Sequence, residues 1–423
     1  MKGGKIYSLI KALWPVCRSI TGDGVRKTLK IIQKKIPDLK IVEVPSGTKC
    51  FDWEIPKEWN IRDAYILDPE GSKIIDFRKS NLHVVSYSIA VDKELSLSDL
   101  QKHLHSIKDY PNAIPYVTSY YNENWGFCMT HNQRKTLKEG KYRVVIDSSL
   151  EPGHMTFGEL IIKGRSKNEV LISTYICHPS MANNELSGPS LTTYLCRYIK
   201  KLKPKYTYRI IFIPETIGSI YYLSQNIDYL KPFVFAGLNI NCVGDNNNWS
   251  FLPTKNGNSY IDRLVRRILD KEKIKFKEFS FLERGSDERQ YCSPGIDLPV
   301  CSVMRSKFNT FDEYHTSLDN LEFISKIGLQ KSFVVYCKIL DQIENDIIPF
   351  SQVKAEPMMS KRGLRSSIGK RGSSHSSKIL MDFLMYSDGK NNLEEIARII
   401  NCKINEAKEV LDILEKYGLI KSY

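Results

Sequence analysis

No two cysteines of this 423-residue chain stand in a C-x-x-C pair, so zinc ribbons and thioredoxin-type redox motifs are excluded. No apolar run reaches the roughly 18 residues that a membrane helix needs. There is no H-E-x-x-H, so the short helical zinc motif of many metalloproteases is missing as well. Near the N-terminus, Lys11 and Arg18 interrupt any apolar stretch, which argues against a secretory signal and makes the cytoplasm the expected compartment. Of the ten cysteines, Cys177, Cys196, Cys242 and Cys301 lie in apolar runs and read as small core residues of a reducing compartment.

What is present is an excess of positive charge, +14 in all, and its placement matters more than its size. The Ser/Gly-rich stretch 349–377 reads as a basic linker. Residues 379–423 hold 6 Lys/Arg against 8 Asp/Glu, a balance of −2. That tail, "SKILMDFLMYS", "NLEEIARII" and "INEAKEVLDILEKYGLI", reads as three short helices of a winged-helix-like unit over 378–423. Its second and third helices carry Glu394, Glu395, Glu406, Glu409 and Glu415, where a DNA reader would neutralise phosphates. A protein partner or self-association is therefore the expected use of the tail, and nucleic acid the disfavoured one.

Between about 165 and 345 strand-like and helix-like segments alternate. "NEVLISTYI" precedes "GPSLTTYLCRYIKKL", "YTYRIIFIP" precedes "IGSIYYLSQNIDYL", and "LPVCSVM" precedes "SKIGLQKSFVVYCKILDQIE". The alternation predicts an α/β domain with a doubly wound, mostly parallel sheet, built from 1–50 and 160–348. Residues 51–159, with alternations such as "HVVSYSIAV" and "KYRVVID", read as an inserted small β-rich subdomain.

In such sheets ligands bind beyond the carboxyl ends of the strands. There the sequence puts unusual polar groups: His178 and "NNELSG" after one strand, Glu215 after the next, Asn239 and Asn241 on a third. Ser286, Asp287, Glu288 and Arg289 precede a fourth strand, and Glu313, His315 and Asp319 follow it. Two imidazoles and a carboxylate suffice for a catalytic zinc with one open position, while a further carboxylate serves as general base. A single histidine is more often structural than a ligand, and Glu185 and Glu215 are also what a helix N-terminus attracts.

The segments "HPSMANNELSG", "PETIGS", "NCVGD", "GSDERQY" and "EYHTSLDN", with "LWPVCRSITGDGVRKTL" and "FDWEIPKEWNIRDAYI", follow an order that covers nearly the whole chain. In them the chain resembles an aminopeptidase-like family of domains of unknown function (DUF4910, DUF2172). Members resemble the M28 zinc aminopeptidases, carry a C-terminal winged helix and are linked to polysaccharide-biosynthesis loci. The resemblance implies His178 and His315 as metal ligands. It also exposes losses: Asn184 stands where the bridging Asp belongs, Pro214 where the first carboxylate of a Glu-Glu pair belongs, and Asn241 where a later Asp ligand belongs. Two neutral amides in place of carboxylates leave too little negative charge for two zinc ions, so one ion is expected.

The expected site is then His178, Glu185 and His315 on zinc, Glu215 as base, and Asn184, Asn241, Asp287, Glu288 and Arg289 toward substrate. A rival assignment makes Glu215 the ligand and leaves Glu185 or Glu288 to handle protons. The expected reaction is hydrolysis of a small peptide or other amide next to a free amine. A ligand-sensing fold that has lost catalysis, or deacylation of an amino sugar, are the alternatives.

Overall fold

A computed structural model describes residues 2–364 and 375–422. Its centre is an eight-stranded sheet: β1 (Lys40–Pro45), β2 (His154–Ile162), β3 (Glu169–Tyr175), β4 (Thr207–Ile213), β5 (Val234–Asn239), β6 (Trp249–Leu252), β7 (Phe276–Glu278) and β8 (Val300–Met304), in the order β1-β2-β4-β3-β5-β8-β6-β7. The middle strands β4, β3, β5 and β8 run parallel, while β1, β2 and β6 join antiparallel. Strand β2 belongs to this sheet, so the insertion closes before His154 rather than at 159.

Every residue of β3 and β4 is buried, because helices cover both faces and leave neither to water. Val170, Ile172, Tyr208, Ile210 and Phe212 point to one core, which also holds α1 (Lys2–Leu13), α2 (Asp23–Gln33), α3 (Ser187–Leu202), α5 (Tyr260–Lys271) and α6 (Lys326–Asn345). Leu171, Tyr175, Ile211 and Ile213 point to the other, against α4 (Ile217–Phe233). Each such side chain contributes about 1.5–3 kcal/mol by leaving water. The strand-to-helix connections put both His178 and Glu215 at one edge of this double core.

The insertion folds around an antiparallel four-stranded sheet, Lys73–Asp76, Glu58–Leu67, Lys141–Glu151 and Val91–Ser96 in spatial order. Period-two alternation sends Tyr142, Val144 and Ile146 inward against Ala64 and Ile66. Its segment 114–120 then lies on the loop of His315: Tyr116 N donates to His315 O (2.8 Å), and Ser317 N donates to Ile114 O (2.9 Å).

The C-terminal unit has its own small core on α7 (His375–Met385), α8 (Leu393–Ile399) and α9 (Ile404–Lys416). Asn392 and Glu395 form a capping box on α8. Arg263 of α5 forks onto Glu395 at 2.8 and 3.0 Å, which ties the unit to the sheet domain. Of the expected basic linker, 365–374 lies outside the described residues. Among the described residues no helix is long and apolar enough to cross a membrane.

Candidate active site

Beyond Tyr175 the chain leaves the sheet through Ile176, Cys177 and His178, then makes a π-helical turn, Ala182–Leu186, before α3 begins. Such turns are rare and recur at functional sites. The free N–H groups of this one are met from far along the chain, since the Asp319 carboxylate accepts from Asn183 N (2.7 Å) and Asn184 N (2.9 Å). Gly188 lets α3 press on the neighbouring strand end: a Cβ there would sit 2.3 Å from the carbonyl oxygen of Ile240.

His178 is buried, and its Nδ1 lies 3.0 Å from Oε2 of Glu185. The other oxygen of Glu185 faces Arg18, with Nε at 3.6 Å and neither side chain exposed. Arg18 also donates to the backbone oxygens of His178 (3.0 Å) and Leu13 (2.9 Å), while its Nη2 is buried without a partner. Glu185 thus faces His178 from behind and leaves Nε2 to the cleft, where Oε2 of Glu215 stands 3.8 Å away. Burial works against a charged imidazole here, but Cys177 and Glu185 outweigh it and raise His178 well above its ordinary value.

His315 arrives from the opposite side. Its ring centroid is 5.3 Å from that of His178. Tyr314 stacks on it at 3.9 Å, and Tyr116 of the insertion meets it edge-on at 5.2 Å. Its Nε2 is buried with no partner, and burial, then His178, lowers its pKa to about 3. A metal sits about 2.1 Å from an imidazole nitrogen, hence about 3.2 Å from a ring centre, so tetrahedral ligation puts two centres about 5.2 Å apart. The two histidines, 137 residues apart in sequence, match that spacing.

Two imidazoles, one with an unsatisfied buried nitrogen, beside a carboxylate are donors of the kind that zinc takes. Among the described residues the one group of three with ligand atoms mutually within 4.8 Å is Cys177, His178 and Glu185, which does not include His315. Against it, Nδ1 of His178 is already engaged by Glu185.

The residues expected to face substrate divide. Asn241 is buried with both amide atoms unpartnered. Asp287 uses Oδ1 to accept from Thr216 N (2.8 Å) and Ser219 Oγ (2.7 Å), leaves Oδ2 buried and free, and is raised to about 7 by burial and by Glu215. Arg289 is half-buried, donates to Thr216 Oγ1 (2.5 Å) and leaves its buried Nε unpartnered. Two expectations need correcting. Asn184 has its amide oxygen taken by the Tyr175 hydroxyl (2.9 Å), so it braces the turn. Glu288 accepts from Gly285 N (2.9 Å), Ser286 N (3.0 Å) and Asn239 Nδ2 (2.9 Å), so both oxygens are spent inside the fold.

Sequence reasoning missed Arg18, Tyr116 and Tyr314. An arginine inside the apolar "LWPVCRSI" was a signal for the first, because a buried arginine demands a partner. Thr216, Cys242 and His315 all have positive φ (66°, 51° and 54°), a backbone strain that concentrates at working sites.

The model of a family described as a domain of unknown function (DUF4910) matches residues 7–346, and one described as a winged helix-turn-helix matches 348–422. A Clostridium acetobutylicum protein, provisionally named as a polysaccharide biosynthesis protein with an aminopeptidase-like domain, is 47% identical over 421 residues, covering 99% of this chain and 96% of that one. A crystal structure of a provisionally named peptidase from Clostridium acetobutylicum matches with a TM-score of 0.82 at 46% identity, covering 100% of this chain and 97% of that one. A zinc aminopeptidase from Bacillus subtilis matches with a TM-score of 0.56 at 15% identity, covering 81% and 94%. This last likeness is one of fold.

Proposed function

Because the chain belongs to the family described as a domain of unknown function (DUF4910), on an aminopeptidase-like fold, we propose that it is a zinc-dependent hydrolase that cleaves an amide bond beside a free amine. The observation that carries this reading is the approach of His178 and His315 to 5.3 Å, with the buried Nε2 of His315 unsatisfied. Zinc, when bound, polarises a carbonyl and makes water acidic enough to attack near neutral pH.

The chain's own residues divide the remaining work. His178 and His315 hold the ion through Nε2. Glu185, expected as the third ligand, instead fixes the ring of His178 through Nδ1, as carboxylates behind metal-bound histidines do. Glu215 takes the third ligand place, since its Oε2 lies on the Nε2 side of His178. Asp287, with Oδ2 free and its pKa raised to about 7, is the group that accepts and returns a proton. Asn241 offers an uncommitted amide to a substrate polar group.

The test is metal content, then turnover. Purified protein should hold about one zinc per chain, and His178→Ala and His315→Ala should each lose it. Aminoacyl anilides should then be cleaved in preference to amino-sugar amides. A chain that takes up no zinc when it is supplied in excess would overturn the proposal. Zinc without turnover would leave the second reading, ligand sensing, which Pro214 at a carboxylate place supports.

A further inference from the structure

At the root of the insertion lies a cavity of about 490 Å³, lined by Tyr87, Tyr120 and Tyr121, with Glu54, Glu123 and Lys57 at its rim. Its size is in the range of small-ligand sites. It shares a wall with the histidine centre: the Tyr120 hydroxyl lies 3.0 Å from that of Tyr116, and the Tyr116 ring contacts both His178 and His315. Tyr87 and Tyr120 both have positive φ (70° and 39°), and their rings stand edge-to-face at 5.8 Å against the cavity.

Tyr121 stands at the mouth with Trp53 beside it. Tyr121 is 49% exposed and Trp53 40% exposed, and their rings meet at 6.0 Å. Tyr121 is steadied by its hydroxyl, which donates to Glu54 O (3.1 Å). Half-exposed aromatic faces beside carboxylates suit a flat-sided, hydroxyl-rich ring, with C–H groups on the aromatic planes and O–H groups donating to the carboxylates. Each of the two rim carboxylates is already paired with a lysine, Glu123 with Lys57 at 3.1 Å and Glu54 with Lys49. The rim therefore offers no net charge to an anion or to an amine.

We propose that this cavity is a glycan subsite that holds one pyranose ring. That this ring belongs to the substrate of the His178 centre rests on the hydrolase reading above; the binding itself does not.

The test is calorimetric titration of the full-length protein, stripped of metal by a chelator, with a glucosamine oligomer, a neutral glucose oligomer and a dipeptide amide. Both sugar oligomers should bind more tightly than the dipeptide amide. Tyr121→Ala should weaken sugar binding at least tenfold, and Trp53→Ala, beside it, should weaken binding less. Failure of both sugars to bind, equal binding to Tyr121→Ala, or tighter binding of the dipeptide with the same Tyr121 dependence would each overturn the assignment. Because no metal is present, sugar binding supports the subsite whether or not amide hydrolysis is ever detected.

Discussion

Arg18 Nε lies 3.6 Å from Glu185 Oε1, with both side chains wholly shielded from solvent. A carboxylate buried this deeply needs a cation, and the loop after α1 supplies it from 167 residues away in sequence. Arg18→Met should therefore destabilise the protein by about 3–5 kcal/mol, the cost of stranding one member of a buried ion pair. In Arg18→Met/Glu185→Gln the stranded charge is gone, so the double variant should be more stable than the sum of the two single effects. Urea denaturation of the three variants checks this, and strict additivity would refute the pairing.

Glu185 acts on the proposed zinc only through His178. Glu185→Gln should weaken zinc affinity about 10–100-fold, the range for a partner behind a metal-bound histidine, while His178→Ala should abolish it. Competition with a zinc chelator of known affinity measures both. Equal loss in the two variants would make Glu185 a ligand.

Asp319 caps the π-helical turn that carries Glu185. Asp319→Ala leaves the buried N–H groups of Asn183 and Asn184 without acceptors, at about 1–3 kcal/mol each. Thermal unfolding should register the loss, and amide hydrogen exchange at Asn183 and Asn184 should speed up selectively. Unchanged exchange at those two positions would contradict the capping role.

The insertion should respond to acid through His83, whose Nδ1 lies 2.8 Å from Cys128 O. Burial lowers its pKa from the ordinary value. The unfolded chain then takes up a proton on the way down through about pH 6.5, while the folded form resists it. The stabilisation is full above that pH and is lost as pH falls below it. Between pH 7.5 and 5.5 the wild type should lose more stability than His83→Gln. Parallel urea curves at the two pH values decide this, and an identical loss would remove His83 from the account.

The sequence by itself determined the layers and the address of the site. Continuous apolar runs such as "LISTY" and "RIIFI" have no polar face to offer water, so they had to become central strands covered on both sides. Short polar segments at their ends then had to fall along one edge of the sheet, which put His178, Glu215 and Asp287 in the same neighbourhood. Only the tertiary structure decided what each group touches there. Glu185 is expected as a ligand from the family resemblance, and in the fold it faces Nδ1 of His178 on one side and a distant arginine on the other. Glu288 reads as a substrate contact, until the amides of its own loop claim Oε1 and Asn239 Nδ2 claims Oε2. Tyr116 could not be assigned at all, because an inserted subdomain carries it and chain pattern does not fix where such a subdomain docks. Periodicity governs burial within an element; hydrogen-bond direction and the meeting of remote loops depend on the whole packed molecule.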